Sequence, residues 1–432
     1  MLHRLNLRSF IKTLGPGILF ASTAIGVSHL VQSTRAGANF GFALLWAIVI
    51  ANLLKYPFFE YGSRYANVKG KSIIDGYLSI GKWMLILYFC ITLGSMFFVT
   101  AAVGFVTAGF MENLFGLDRF FDFNLATTSI LFSLCFIVLV IGKYNTLDLL
   151  IKVIGGLLLF STVIAFFLTL AHGPIEKVDS FTSEGIWTTA GFAFLIALMG
   201  WMPTAVDLSA WNSLWTIERI KQSGYKPSLK ETLFEFNLAY AISAALSICF
   251  LTLGAFLIFG SATSMPEGSA SFANKVIELY THTIGNWSYF IIAIAAFSIM
   301  LGTSIGVFDG YSRALERTSQ LLFFGGKSEN KRIKDRRLYI ISLLVIVAGS
   351  YWIISYFADK PKGFKSLVDI ATTISFLISP IIAFVNFRLV MNKDFEKEAR
   401  PGKRMIILSW IGIIFLTIFS LIYLIFLLNK FV

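Results

Sequence analysis

Eleven apolar stretches, most of them about twenty residues or longer, occupy the greater part of this 432-residue chain. A helix of roughly 20 residues crosses the ~30 Å of hydrocarbon in a bilayer, and in that solvent the backbone satisfies its polar groups only as helix or closed barrel. The stretches lie near 14–33, 39–63, 83–111, 124–142, 147–171, 187–215, 231–260, 286–312, 338–358, 366–387 and 405–429. They predict an all-α integral membrane protein with about eleven transmembrane helices. The share of hydrophobic residues, 56% against 14% charged, exceeds what a water-soluble core of this length requires. The longest connections are near 172–186, 261–285 and 313–337, too short for a soluble domain, so residues 1–432 read as one transmembrane domain.

The formal charge of +12 is spread over short interhelical clusters. No continuous basic face forms, which argues against nucleic acid and for membrane orientation by Lys/Arg bias. With the amino terminus cytoplasmic, 26 of the 36 Lys/Arg fall on the cytoplasmic side, 8 on the other, and Lys55 and Lys152 within spans. The expectation is a multi-pass protein of the cell (inner or plasma) membrane with its amino terminus inside and, after eleven spans, its carboxyl terminus outside. The basic run before the first apolar stretch lacks a convincing small-residue cleavage site, so that stretch reads as a retained span. The basic connection 325–332 reads as a topogenic loop beside lipid head groups. Cys90, Cys135 and Cys249 sit inside apolar spans and read as packing residues.

Two spans are poor helix in their middles. The first carries Gly15-Pro16-Gly17 and then Thr23-Ala24-Ile25-Gly26-Val27-Ser28-His29; the sixth carries Met199-Gly200-Trp201-Met202-Pro203-Thr204. Proline removes a backbone donor and clashes with the preceding turn, so both spans are expected to break near the midplane. Spans 1–5 (about 14–171) and 6–10 (about 187–387) then form two inverted repeats whose first helices are discontinuous, and the last helix (about 405–429) is accessory. Unwound backbone leaves carbonyls and amides that an ion or polar substrate satisfies. Glycines and proline kinks that serve packing alone are the plain alternative, and two breaks at matching repeat positions weigh against it.

The run GPGILFASTAIGVSH followed by LVQSTRAGANFGFALLWAIVIANLL resembles the first two spans of the Nramp family of proton-coupled divalent-metal transporters, most specifically at Ala36-Gly37-Ala38-Asn39-Phe40-Gly41 and Leu44-Leu45-Trp46. Met202-Pro203 falls where that family carries Met-Pro-His. The resemblance covers about 14–66 and 195–215, and implies the inverted-repeat fold of the leucine-transporter type with eleven or twelve helices. It also implies departures. Alignment through Gly37 places the family's Asp-Pro-Gly-Asn on Gly26-Val27-Ser28-His29, so Gly26 stands for the ligand carboxylate and His29 for the asparagine. Thr204 replaces the sixth-span histidine, and the acidic residue of the third span has no counterpart in Ile91-Thr92-Leu93-Gly94-Ser95-Met96-Phe97.

The candidate substrate site therefore comprises Gly26, Ser28 and His29 of the first break and Met199, Met202, Thr204 and Asp207 of the second. His29, Met202 and Asp207 are the metal-ligand candidates: imidazole and thioether suit transition metals, and a carboxylate at bilayer depth is costly unless it serves a cation or a partner. The bland readings stand beside these. His29 bonds a freed carbonyl, Met202 fills a gap, and Asp207 pairs with a basic residue of a neighbouring helix. Ser209 and Asn212 add neutral oxygens or bind helices together. Asp309 and Arg313 have the spacing of an intrahelical ion pair. Lys55 and Glu60, and Glu231 and Glu235, are further charges within or beside spans.

Gly302-Thr303-Ser304-Ile305-Gly306 fits G-x-S-x-G, but it lies in an apolar helix where that elbow needs a strand before it. Gly302, Gly306 and Gly310 read as a smooth packing face. No HExxH or nucleotide loop occurs. The expectation is a secondary transporter and not an enzyme, with no cofactor. Its partners are a divalent metal ion or another small solute, a coupling proton or cation, and membrane lipid. A small organic solute as cargo, or a non-transporting sensor, are the alternatives.

Overall fold

Among the described residues the regular structure of the computed structural model is all helical; these residues are 13–120, 125–141, 144–178, 181, 183–261, 265–325, 332–360 and 362–431. The first span comprises α1 (Pro16–Ala24), a π-helical segment (Gly26–Ser33) and α2 (Thr34–Phe40). Then follow α3 (Leu45–Lys69), the short α4 (Ile73–Ile80), α5 (Lys82–Phe115), α6 (Ala126–Ile141) and α7 (Tyr144–His172). The sixth span is α8 (Thr189–Gly200) and α9 (Leu208–Ser223). Next come α10 (Leu229–Leu257), α11 (Ser269–Ile284), α12 (Tyr289–Phe323), α13 (Arg332–Ala358), α14 (Gly363–Met391) and α15 (Lys403–Phe431).

Local chemistry explains many of the boundaries. Pro16 opens α1 at its first turn, where a missing N–H costs nothing. Ser72 with Asp75 and Ser228 with Glu231 form reciprocal capping boxes at the starts of α4 and α10. Six stretches are, by length and apolar composition, long enough to cross a membrane: Lys82–Phe115, Leu229–Leu257, Asn286–Phe323, Arg337–Ala358, Gly363–Met391 and Lys403–Leu428. The interrupted first and sixth spans lie outside that set, as does α3, which carries Lys55, Glu60 and Arg64. Large apolar side chains such as Phe160, Phe167, Trp352, Ile411 and Leu428 face outward, as a lipid-facing surface requires.

Several expectations need correction. The first span runs on to Phe40, where the apolar pattern ends it near 33, and the second begins at Leu45 instead of 39. Residues 34–40 look like a polar connection because they include Arg35 and Asn39, yet α2 is packed tightly against α10. The contact is backbone to backbone: a β-carbon at Gly37 would lie against the Leu251 carbonyl, and one at Gly254 against the Thr34 carbonyl. The connection 261–285 holds the amphipathic helix α11, which packs on α5. Cys90 of α5 is exposed and not a core packing residue, while Cys135 and Cys249 are buried as expected. The basic connection 325–332 lies largely outside the described residues, as do residues 1–12 and the Lys152 side chain.

The broken spans lie at the centre. α1 contacts α9, α10 and α12, α3 lies along α9, and α8 packs on α14. Gly306 and Gly310 of α12 give the expected smooth face, since β-carbons there would strike Thr23 and Trp211.

Candidate functional site

In the first break the helix widens without opening. After Ile25 the chain takes a π turn, whose extra residue per turn absorbs the irregularity while keeping hydrogen bonds internal. Gly26 faces α12, where a β-carbon would meet the hydroxyl and methyl of Thr303, so the position aligned with a family carboxylate has no space for one. Ser28 Oγ donates to the Ala24 carbonyl and lies 2.7 Å from His29 Nδ1. His29 Nε2 is 2.8 Å from the Ser243 carbonyl and 3.3 Å from its hydroxyl. Both ring nitrogens are engaged, and the imidazole ties the π segment to α10.

The second break leaves the helix altogether. α8 stops at Gly200, which sits against the Thr372 carbonyl of α14 too closely for a β-carbon, and regular helix resumes only at Leu208. A helix end leaves its last carbonyls without intrahelical partners, and Pro203 supplies no N–H. Lys55 answers this from α3: its Nζ donates to the carbonyls of Met199 at 2.5 Å, Gly200 at 2.8 Å and Thr204 at 3.5 Å. Met202 Sδ accepts a weak hydrogen bond from Ser33 of the π segment at 3.9 Å, which brings the two breaks together. Asp207 accepts from the Tyr311 hydroxyl of α12 at 3.2 Å, and Tyr311 also reaches Ser95 of α5 at 3.3 Å. His29, Lys55 and Met202 are 0% exposed, and Thr204 and Asp207 7%.

Two sets of polar contacts tie the first span to other helices beside this region. At one end Arg35 of α2 grips Asp369 of α14 with two nitrogens, at 2.7 and 3.1 Å, while its guanidinium lies over Phe194. Gln32 bridges to the same carboxylate at 3.1 Å. At the other end Glu235 of α10 accepts from the backbone N–H groups of Gly15 and Gly17 at 3.0 and 2.8 Å, a carboxylate capping the positive end of α1.

Of the candidates, Met199, Met202, Thr204 and Asp207 gather around the second break. Met199 and Thr204 contribute there through their carbonyls. Ser28 and His29 turn toward α1 and α10, and Gly26 toward α12. Ser209 bonds Asn386 and Asn212 bonds Ser63, which makes them helix glue. The Asp309–Arg313 pair forms at 2.8 Å, with Trp215 and Tyr339 on the same carboxylate. Glu60 pairs with Arg64 and leaves Lys55 to the carbonyls. The residues the sequence underrated are Lys55 and the Arg35–Asp369 pair. A lysine within an apolar span was a signal for the first, because intramembrane charges are functional by default. Among the described residues no cluster of three or more His, Cys, Asp or Glu side chains suited to a metal occurs.

The family model for natural resistance-associated macrophage protein-like (Nramp) proteins matches residues 17–426. An uncharacterized protein of Pasteurella multocida is 34% identical over 418 residues, 95% of this chain and 91% of that one. The metal transporter Nramp6 of Arabidopsis thaliana is 23% identical over 305 residues, 67% of this chain and 55% of its own length. Among solved structures, a manganese transporter of Eremococcus coleocola in a histidine-to-alanine mutant form superposes with a TM-score of 0.73 at 14% identity, covering 98% of this chain and 87% of that one. The same transporter bound to an aromatic bis-isothiourea compound gives 0.71 at 14%, covering 96% and 86%.

Proposed function

Because the chain belongs to the Nramp family, we propose that it is a secondary transporter moving a divalent metal ion by alternating access to a pocket between its two broken spans. The first repeat comprises about 14–171, the second about 187–387, and the helix at about 405–429 is accessory. The amino terminus is cytoplasmic and the carboxyl terminus outside. The driving force is the metal's own gradient or a coupled proton or cation gradient.

The observation that carries this reading is that a thioether, Met202, and a carboxylate, Asp207, both lie buried in the same short break of a fold shared with manganese transporters. Gly26 supplies no ligand in this arrangement, so Asp207 takes over the counter-charge for the cargo. Ser28 and His29 hold the π segment in place, and the imidazole joins the ligand set only if it leaves Ser243. A thioether with one carboxylate favours a transition metal over magnesium, which requires several oxygen ligands or its own waters. Rocking between the repeats breaks the Arg35–Asp369 grip on one side and the Glu235 cap on the other.

The test is calorimetric titration of manganese, cobalt, zinc and magnesium into purified wild type and Met202→Ala. Saturable transition-metal binding that is lost in the variant is expected. Folded wild-type protein that binds none of the four overturns the metal reading.

A further inference from the structure

We propose that the carbonyls at the end of α8 form a monovalent-cation cage and that Lys55 is its permanent occupant, a tethered ammonium that makes the sixth-span break independent of any mobile sodium or potassium ion. Three oxygens converge on Lys55 Nζ, from Met199 at 2.5 Å, Gly200 at 2.8 Å and Thr204 at 3.5 Å. Carbonyl oxygens only accept, so Nζ is the donor in the two short contacts and in the longer one to Thr204, and an ammonium has an N–H for each. Two of these carbonyls belong to the final turn of a half-helix, the negative end of its dipole, and the third to non-helical backbone. Unwound carbonyls joined to a half-helix C-terminus are the elements with which transporters coordinate sodium or a proton. An ammonium is close in size to a potassium ion and meets carbonyls in the same way.

Lys55 is completely buried and lies in the middle of α3, so its head does not reach water. Glu60, the carboxylate next along the helix, is held by Arg64. Asp207 lies buried in the same break, and its Tyr311 hydrogen bond fixes where that carboxylate sits. The break at residues 199–207 therefore holds a lysine on its carbonyls and a carboxylate on Tyr311. The consequence for cargo rests on the transport reading: a dication is excluded from the carbonyls of 199, 200 and 204 and must bind on the Met202 and Asp207 side. Lys55 is thus a positioning and specificity-determining residue.

Thermal unfolding in detergent tests the cage without reference to cargo, using wild type, Lys55→Ala, which empties the cage, and Lys55→Met, which fills it with an uncharged stem. At constant ionic strength in N-methyl-D-glucamine chloride both variants are expected to melt below wild type. Ammonium, methylammonium or potassium chloride restores at least half of the loss in Lys55→Ala, saturably, and less in Lys55→Met. Wild type, its cage full, melts at one temperature in sodium, potassium and N-methyl-D-glucamine chloride. That arm holds even where a variant does not fold. The proposal is overturned if Lys55→Met is as stable as wild type, if Lys55→Ala melts alike in every salt, or if sodium or potassium saturably stabilises wild type. Failure of the metal titration leaves these melting results unchanged, so the two proposals fail separately.

Discussion

The two breaks at the centre of this protein resolve the same difficulty in opposite ways. The first, free of proline, stays helical by admitting a π turn, and its polar side chains close on nearby groups: Ser28 on Ala24, Ser33 on the Ser28 carbonyl at 3.3 Å, His29 on Ser243. The second contains Pro203, leaves the helix between Gly200 and Leu208, and takes its donors from Lys55 of another helix. A wider turn keeps its own hydrogen bonds, whereas open backbone must borrow them. The first break is thus filled by packing and hydrogen bonds among neutral groups, while the second holds the buried Lys55 and Asp207.

The hardest test of this contrast restores what the first break lacks. Gly26→Asp drives a carboxylate into Thr303, and with overpacking and an unpaired buried charge the expected loss is about 3–5 kcal/mol, read as a drop in melting temperature. A stable Gly26→Asp protein that binds manganese more tightly would mean that the first break opens onto the site after all. His29→Ala removes the tie to α10 and leaves a small cavity, at a cost of about 2–4 kcal/mol. Its melting temperature should fall while calorimetric metal affinity in the folded fraction stays near wild type; selective loss of affinity would move His29 into the ligand set. Asp207→Asn strikes the second break alone. Metal uptake into proteoliposomes should fall about tenfold or more, which corresponds to ~1.4 kcal/mol, and unchanged uptake would reduce Asp207 to a structural partner of Tyr311.

Much of this architecture was legible in local pattern. Eleven apolar runs correspond to eleven helices or broken helices, and the broken ones are those with Gly26 and Pro203 in mid-span. The Asp309–Arg313 pair was readable because residues four apart on a helix face each other. The first span's true end was not readable, because Arg35 looks like a loop residue until Asp369 is seen beside it.

The sequence by itself determined that the chain is a multi-pass membrane protein and where two spans depart from regular α-helix, since apolar run length and the missing N–H of proline act within a few residues. Only the tertiary structure decided what each departure became. Lys55 meets Met199 across 144 positions, His29 meets Ser243 across 214, and Arg35 meets Asp369 across 334. Helical periodicity records which face of a helix is apolar but not which distant helix it meets. The packing of Gly26 on Thr303 and of Gly37 on Leu251, which closes one break and aligns α2 with α10, is likewise a property of crossings that form only when the whole bundle assembles.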